Sequence, residues 1–201
     1  MGIQTDVQVK FIADENAADP DRLVTVARPN TSATMAATTF ASGGARNVTV
    51  TTAGTNDAGK KCTITGTDVF GNAITEEITS TGSAETIAGA KMFLTVSAVE
   101  CSAQYAANIT VGSGTLCASA VAGGNRTRLK GYSIVSAGTA GLVDFINGTP
   151  DSGTIIFKAQ TIGTDNATVD NTIPDEGMLF KAGLSVKYTL ATVVLMNVFF
   201  A

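Results

Sequence analysis

The chain has 201 residues, 13 of them basic and 17 acidic, for a net charge of -4. That balance offers no basic field for nucleic acid and no polybasic face for anionic lipid, so neither nucleic acid nor membrane is expected as a partner. There is no His, which removes Ser-His-Asp and Cys-His catalysis, His-containing zinc sites and the usual proton carrier near neutral pH.

The length allows one or two domains with substantial cores. Thr and Val dominate the periodic stretches, and Gly and Asn the breaks between them. β-Branched residues suit a pleated, half-buried surface, so an all-β chain is expected: two β-sandwich-like domains preceded by an extended N-terminal arm.

Residues 1–40 form the arm in this reading. Met1 to Phe11 lack a basic start followed by an apolar run, so no secretory leader is expected. Asp14, Glu15, Asp19 and Asp21 cluster around Pro20, a short strand fits Leu23–Ala27, and Pro29 leads into the small-residue run TSATMAATT. The prolines and small polar residues argue against a long helix. The acidic cluster lacks EF-hand spacing and the Gly of its sharp turn, so a solvated loop is expected there rather than a calcium site.

Residues 41–117 alternate strand and turn signals at short spacing and are read as the first β-sandwich domain. Asn47–Thr52 and Lys61–Thr67 alternate with period two. Gly71-Asn72 predicts a tight hairpin returning through Ala73–Thr79. Lys91–Cys101 and Ala107–Gly112 complete the set. Residues 118–125, ASAVAGGN, read as a small-residue linker, and 126–201 as a C-terminal β domain. Its strands are expected at Arg128–Val135, Gly141–Asn147, Thr154–Ala159, Met178–Phe180, Leu184–Thr189 and Thr192–Phe200. The last is apolar on both faces, which predicts a central strand or a chain–chain contact.

Few residues suggest chemistry. Glu76 and Glu77 are strand neighbours and point to opposite faces, so they cannot converge across a cleft as glycoside hydrolysis requires. One is expected in solvent and the other against a Lys. Gly112-Ser-Gly114 has no helix after it to complete a phosphate cradle. Tyr105, Tyr132 and Tyr188 are too scattered for a base-stacking platform. Cys62, Cys101 and Cys117 contain no CxxC and are read as buried small hydrophobes, with a Cys62–Cys101 bridge between facing strands as the alternative. No catalytic, cofactor-binding or metal-ligating residue is therefore expected, and the chain is read as a non-enzyme.

Two groups of segments carry a resemblance. Ala45-Arg-Asn-Val-Thr-Val-Thr, Cys62-Thr-Ile-Thr-Gly-Thr-Asp-Val-Phe-Gly-Asn-Ala-Ile-Thr-Glu and Gly89-Ala-Lys-Met-Phe-Leu-Thr-Val resemble a β-sandwich module of tailed-bacteriophage structural proteins. Leu129-Lys-Gly-Tyr-Ser-Ile-Val, Ile173-Pro-Asp-Glu-Gly-Met-Leu-Phe-Lys-Ala-Gly-Leu-Ser-Val and the closing Val-Phe-Phe are similar to a terminal phage module with an aromatic ending. Residues 1–40 lie outside the resemblance. It implies a virion structural protein, foremost a capsid decoration (cement) protein that stabilises the outer shell of a particle assembled in the host cytoplasm. The partners it implies are the major capsid protein and copies of the chain itself, as a homotrimer or homodimer. A tail, neck or fibre-base component binding host carbohydrate is the alternative.

Overall fold

The computed structural model describes residues 7–13 and 17–201. Among them every regular element is a β-strand except a 3-10 turn at Leu190–Thr192, so the chain is all-β. It divides into two compact units: Asn16–Leu116, and a discontinuous unit of Met1–Glu15 with Cys117–Ala201.

Strand β1 (Gln8–Ala13) belongs to the discontinuous unit. The continuous unit contains β2 (Val24–Ala27), β3 (Ala45–Thr52), β4 (Lys61–Thr67), β5 (Ala73–Thr79), β6 (Glu85–Phe93), β7 (Thr95–Cys101) and the first part of β8 (Ile109–Ala122). One of its sheets is β5-β4-β7, antiparallel throughout; in the other, β3 lies between β6 and β8, and β2 pairs with β8. Both sheets feed one core, with Cys62 and Ile64 from β4, Val96 and Val99 from β7, Val48 and Val50 from β3 and Ile109 and Val111 from β8.

The alternation expected of β4 is present. Cys62, Ile64 and Gly66 turn inward, while Lys61, Thr63, Thr65 and Thr67 are half-buried. Gly66 is required because a Cβ there would come within 1.9 Å of the Thr95 carbonyl oxygen, at the point where the β4–β7 register shifts. The β4–β5 hairpin also forms, closed by five residues rather than a two-residue turn. Asp68 organises the loop: its Oδ1 accepts from the amides of Phe70 (2.8 Å) and Asn72 (2.9 Å), and its Oδ2 from Asn72 Nδ2 (2.9 Å). Gly71 takes a φ of 83° there, which a side chain would resist.

Two expected boundaries are corrected. The described part of 1–40 is not an arm. Within the continuous unit, Leu23, Val24 and Phe40 are buried in the core, and residues 31–39 run antiparallel beside β7 through bridges at Ser32↔Glu100 and Thr39↔Thr95. In the other unit, β1 pairs with the last strand of the chain. Residues 31–39 lack periodicity because they bridge the sheet at isolated points. The second correction concerns 118–125, which is strand as far as Ala122. The small side chains that suggested a linker belong to a strand in which Ala118 and Val121 are buried.

The discontinuous unit continues with β9 (Thr127–Ser136), β10 (Leu142–Asn147), β11 (Thr154–Gln160), β12 (Thr168–Thr172), β13 (Met178–Phe180), β14 (Leu184–Thr189) and β15 (Val193–Phe200). One sheet runs β1-β15-β9-β12, with β13 also on β9; β10 pairs with β11 on one side and β14 on the other. Their shared core holds Leu129, Ile134, Val143, Val186, Met196 and Val198. Tyr132, Phe145 and Phe157 meet in it with ring centroids 5.4–5.7 Å apart, so Tyr132 is not isolated. Turns form at Thr164-Asp-Asn166 and Pro174-Asp-Glu-Gly177, with Asn166 and Asp175 at positive φ (61° and 56°). The expectation for β15 holds in position, since it lies between β1 and β9. Only one of its faces is fully buried, however: Met196 and Val198 are enclosed, and Phe199 is 37% exposed.

Candidate binding surface

The outer face of the β1-β15-β9-β12 sheet follows from its register. Val9 lies opposite Phe199, Phe199 opposite Gly131, and Gly131 opposite Thr172. The next row on the same face is Phe11, Asn197, Ser133 and Asp170. Strand alternation that sends Met196, Val198 and Ile134 into the core must send these outward. Val7, Val9 and Phe11 are 55%, 57% and 59% exposed, and with Phe199 they make an apolar stripe along the edge of the sheet. Among the described residues β1 has a partner on one side only, so its outer edge carries backbone groups that no described strand pairs.

Gly131 leaves a dip in the middle of this face. A Cβ there would come within 2.7 Å of the Asn171 carbonyl oxygen, so the β9–β12 contact itself requires glycine. The result is a shallow trough of about 560 Å³. Phe199 and Val7 form its apolar wall, and Ser133, Asp170 and Thr172 its polar one. Lys130 is also among the lining residues, and its Nζ donates to the Asp175 carbonyl oxygen (3.0 Å). The trough thus offers an aromatic ring facing hydroxyl, amide and carboxylate groups, with little positive charge for a phosphate.

Of the residues singled out by sequence, Tyr132 contributes to the lining of the trough, and the carboxylates, glycines, cysteines and other tyrosines lie elsewhere. Glu77 pairs with Lys61 Nζ (2.7 Å), whereas Glu76 accepts from the amides of Ala90 (2.7 Å) and Lys91 (3.3 Å), so the two carboxylates are separately engaged. Asp19 and Asp21 sit beside β8; Asp14 and Glu15 lie outside the described residues. Gly112 and Gly114 serve packing. A Cβ on Gly112 would meet the Asp19 carbonyl oxygen at 2.0 Å, and one on Gly114 the Asn47 side chain at 2.4 Å. Asn47 uses that approach to bond the Leu116 amide and the Gly89 carbonyl, both at 3.0 Å. Tyr105 and Tyr188 are buried. Cys62, Cys101 and Cys117 are buried, and none is in a disulfide. Among the described residues no group of three or more His, Cys, Asp or Glu is placed to hold a metal ion. No helix among them is long and apolar enough to cross a membrane.

Sequence reasoning missed both the stripe and the trough. The period-two spacing of Val7, Val9 and Phe11 was a usable signal, but the trough draws on β9, β12, β15 and the residue before β1, and no local pattern joins them. Compared with protein-family models, curated proteins and solved structures, the chain shows no significant match to any.

Proposed function

We propose that the chain is a structural component of a tailed-phage particle, a decoration protein that binds the outer shell. The observation that carries this reading is the apolar stripe of Val7, Val9, Phe11 and Phe199 along an open sheet edge. Apolar side chains in a row beside unpaired strand backbone favour being covered by another chain. The two sets of motif segments resembling phage modules fall in the two units, and a shell component needs a stable fold and a repeated surface rather than catalysis. The major capsid protein and further copies of the chain are the partners in this reading.

A second reading, a tail or fibre-base component that binds host carbohydrate, is favoured by the trough. Sugars present an apolar ring face and hydroxyls, which suits Phe199 opposite Ser133, Asp170 and Thr172. Copy number separates the two. Quantitative mass spectrometry of purified particles should find the chain in comparable abundance to the major shell protein, and Phe11→Asp should abolish its incorporation while leaving it folded. A few copies per particle would favour the tail reading, and absence from particles would refute both.

A further inference from the structure

The continuous unit holds a second feature that the proposed function does not use. Cys62 on β4 and Cys101 on β7 are directly opposite in the register, and their sulfurs are 3.5 Å apart. Both side chains are enclosed, at 0% and 7% exposure. Their backbones do not bond to each other: the Ser102 amide donates to the Lys61 carbonyl (2.9 Å), and the Cys101 amide donates away from β4, to the Thr31 carbonyl (2.5 Å). The two cysteines therefore form a non-hydrogen-bonded pair, the kind in which facing Cα atoms approach to about 4.5 Å and side chains stand closest. That separation lies within the span a disulfide bridges, roughly 4.4–6.8 Å.

We propose that Cys62 and Cys101 are a redox-convertible pair that closes into a cross-strand disulfide, stapling β4 to β7 at the centre of the continuous unit. In the closing step the two protein thiols lose their hydrogens and one S–S bond forms. A small-molecule disulfide of the glutathione type accepts both electrons and both protons and leaves as two thiols. The surroundings assist. Hydrogen bonding with Cys101 lowers the Cys62 thiol below its ordinary value, burial opposes this, and the Tyr105 hydroxyl, 3.4 Å from the sulfur, lowers it further. The Cys101 thiol is raised, first by the same contact and then by burial. Cys62 is thus the better thiolate and the one to open the glutathione disulfide, releasing one glutathione thiol; Cys101, 3.5 Å away, then attacks the Cys62 sulfur and releases the second. Cys117 belongs to the other unit and serves as an internal control. The inference does not rest on the particle reading.

The test uses the full chain, unfolded in reductant and refolded in a reduced/oxidised glutathione buffer, so that both sulfurs are accessible while the fold forms. Remaining thiols are then blocked under denaturing conditions and the mass and digest are read. The expected result is one blocked thiol, at Cys117, and a linked Cys62–Cys101 peptide. The oxidised protein should melt roughly 5–10 °C above the reduced one, because the bond constrains the unfolded chain. Cys117→Ser should give the same link. Three blocked thiols, a stable glutathione adduct on Cys62 or Cys101, a bond involving Cys117, or a melting temperature no higher than that of the reduced protein would each overturn the proposal.

Discussion

Strands β4 and β15 both run between two neighbours, yet they bury themselves differently. β4 alternates strictly, and its inward residues Cys62 and Ile64 are fully enclosed while the intervening Lys and Thr residues are half-buried. β15 is apolar on both faces, but while Met196 and Val198 on one face are enclosed, Phe199 on the opposite face is 37% exposed. A strand's position within a sheet is set by backbone pairing; the burial of its faces is set by what lies above and below. Apolar residues on both faces of β15 therefore report one core and one uncovered surface.

The largest expected effect tests whether the first 40 residues belong to the cores or hang from them. Removing them takes Leu23, Val24 and Phe40 from one core and Ile12 from the other. At about 1.5–3 kcal/mol for each large buried side chain, the loss is comparable with a whole domain's stability of ~5–15 kcal/mol. A chain starting at Ala41 should show no cooperative thermal transition by circular dichroism. A sharp transition near that of the parent would mean that these residues only decorate the fold.

Next comes the contrast between the two faces of β15. Met196→Asp buries an unpaired charge and should cost more than about 4 kcal/mol, giving insoluble or unfolded protein. Phe199→Asp should stay soluble and melt within about 3 °C of the parent, as substitutions at exposed positions usually do. Equal damage from both, judged by soluble yield and melting temperature, would mean that the Phe199 face is covered within the protein itself.

A smaller effect is expected at the β4–β5 loop. Asp68→Ala removes the acceptors of three hydrogen bonds and should cost about 1–3 kcal/mol in urea unfolding. Asp68→Asn, which keeps one carbonyl oxygen for the Phe70 and Asn72 amides, should cost less.

The smallest is a pH effect at Asp57, which is fully enclosed and bonded to Lys60 Nζ (2.7 Å) and the Ala106 amide (2.6 Å). Burial alone would raise its carboxyl, but the Lys60 and Ala106 hydrogen bonds and the charges of Lys60 and Arg28 hold it below the usual range. A carboxyl lowered on folding contributes stability that is present above its unfolded value of about 3.9 and is lost as pH falls through the folded value. The urea midpoint of Asp57→Asn should therefore lie below that of the parent at neutral pH, with the gap narrowing below about pH 4. A gap independent of pH would assign the effect to hydrogen bonding alone.

What the sequence disclosed, and what it hid, follows from range. The all-β character was visible because Asn47–Thr52, Lys61–Thr67 and Leu184–Thr189 carry their own alternation. The hairpin between Thr67 and Ala73 was visible from Gly71-Asn72, although Asp68, which holds it, was not distinguished from other turn residues. The facing of Cys62 and Cys101 was open as one alternative. Residues 31–39 were misread because their contact with β7 is made at isolated bridges, with no strand pattern to announce it. The outer face of the β1-β15-β9-β12 sheet was hidden for a related reason: Phe199, Gly131 and Thr172 become neighbours only through register.

The pairing of β1 with β15 also bears on synthesis. Gln8 meets Phe200 across nearly the whole chain, and the register continues to Ala13 opposite Leu195. The continuous unit can gather its core once residue 116 has been made. The other unit cannot, because its first strand must wait for its last, and closing so long a loop is slow. Until then the apolar residues of β1 have no sheet to join, and the nascent chain has to hold them without a partner while the intervening unit folds.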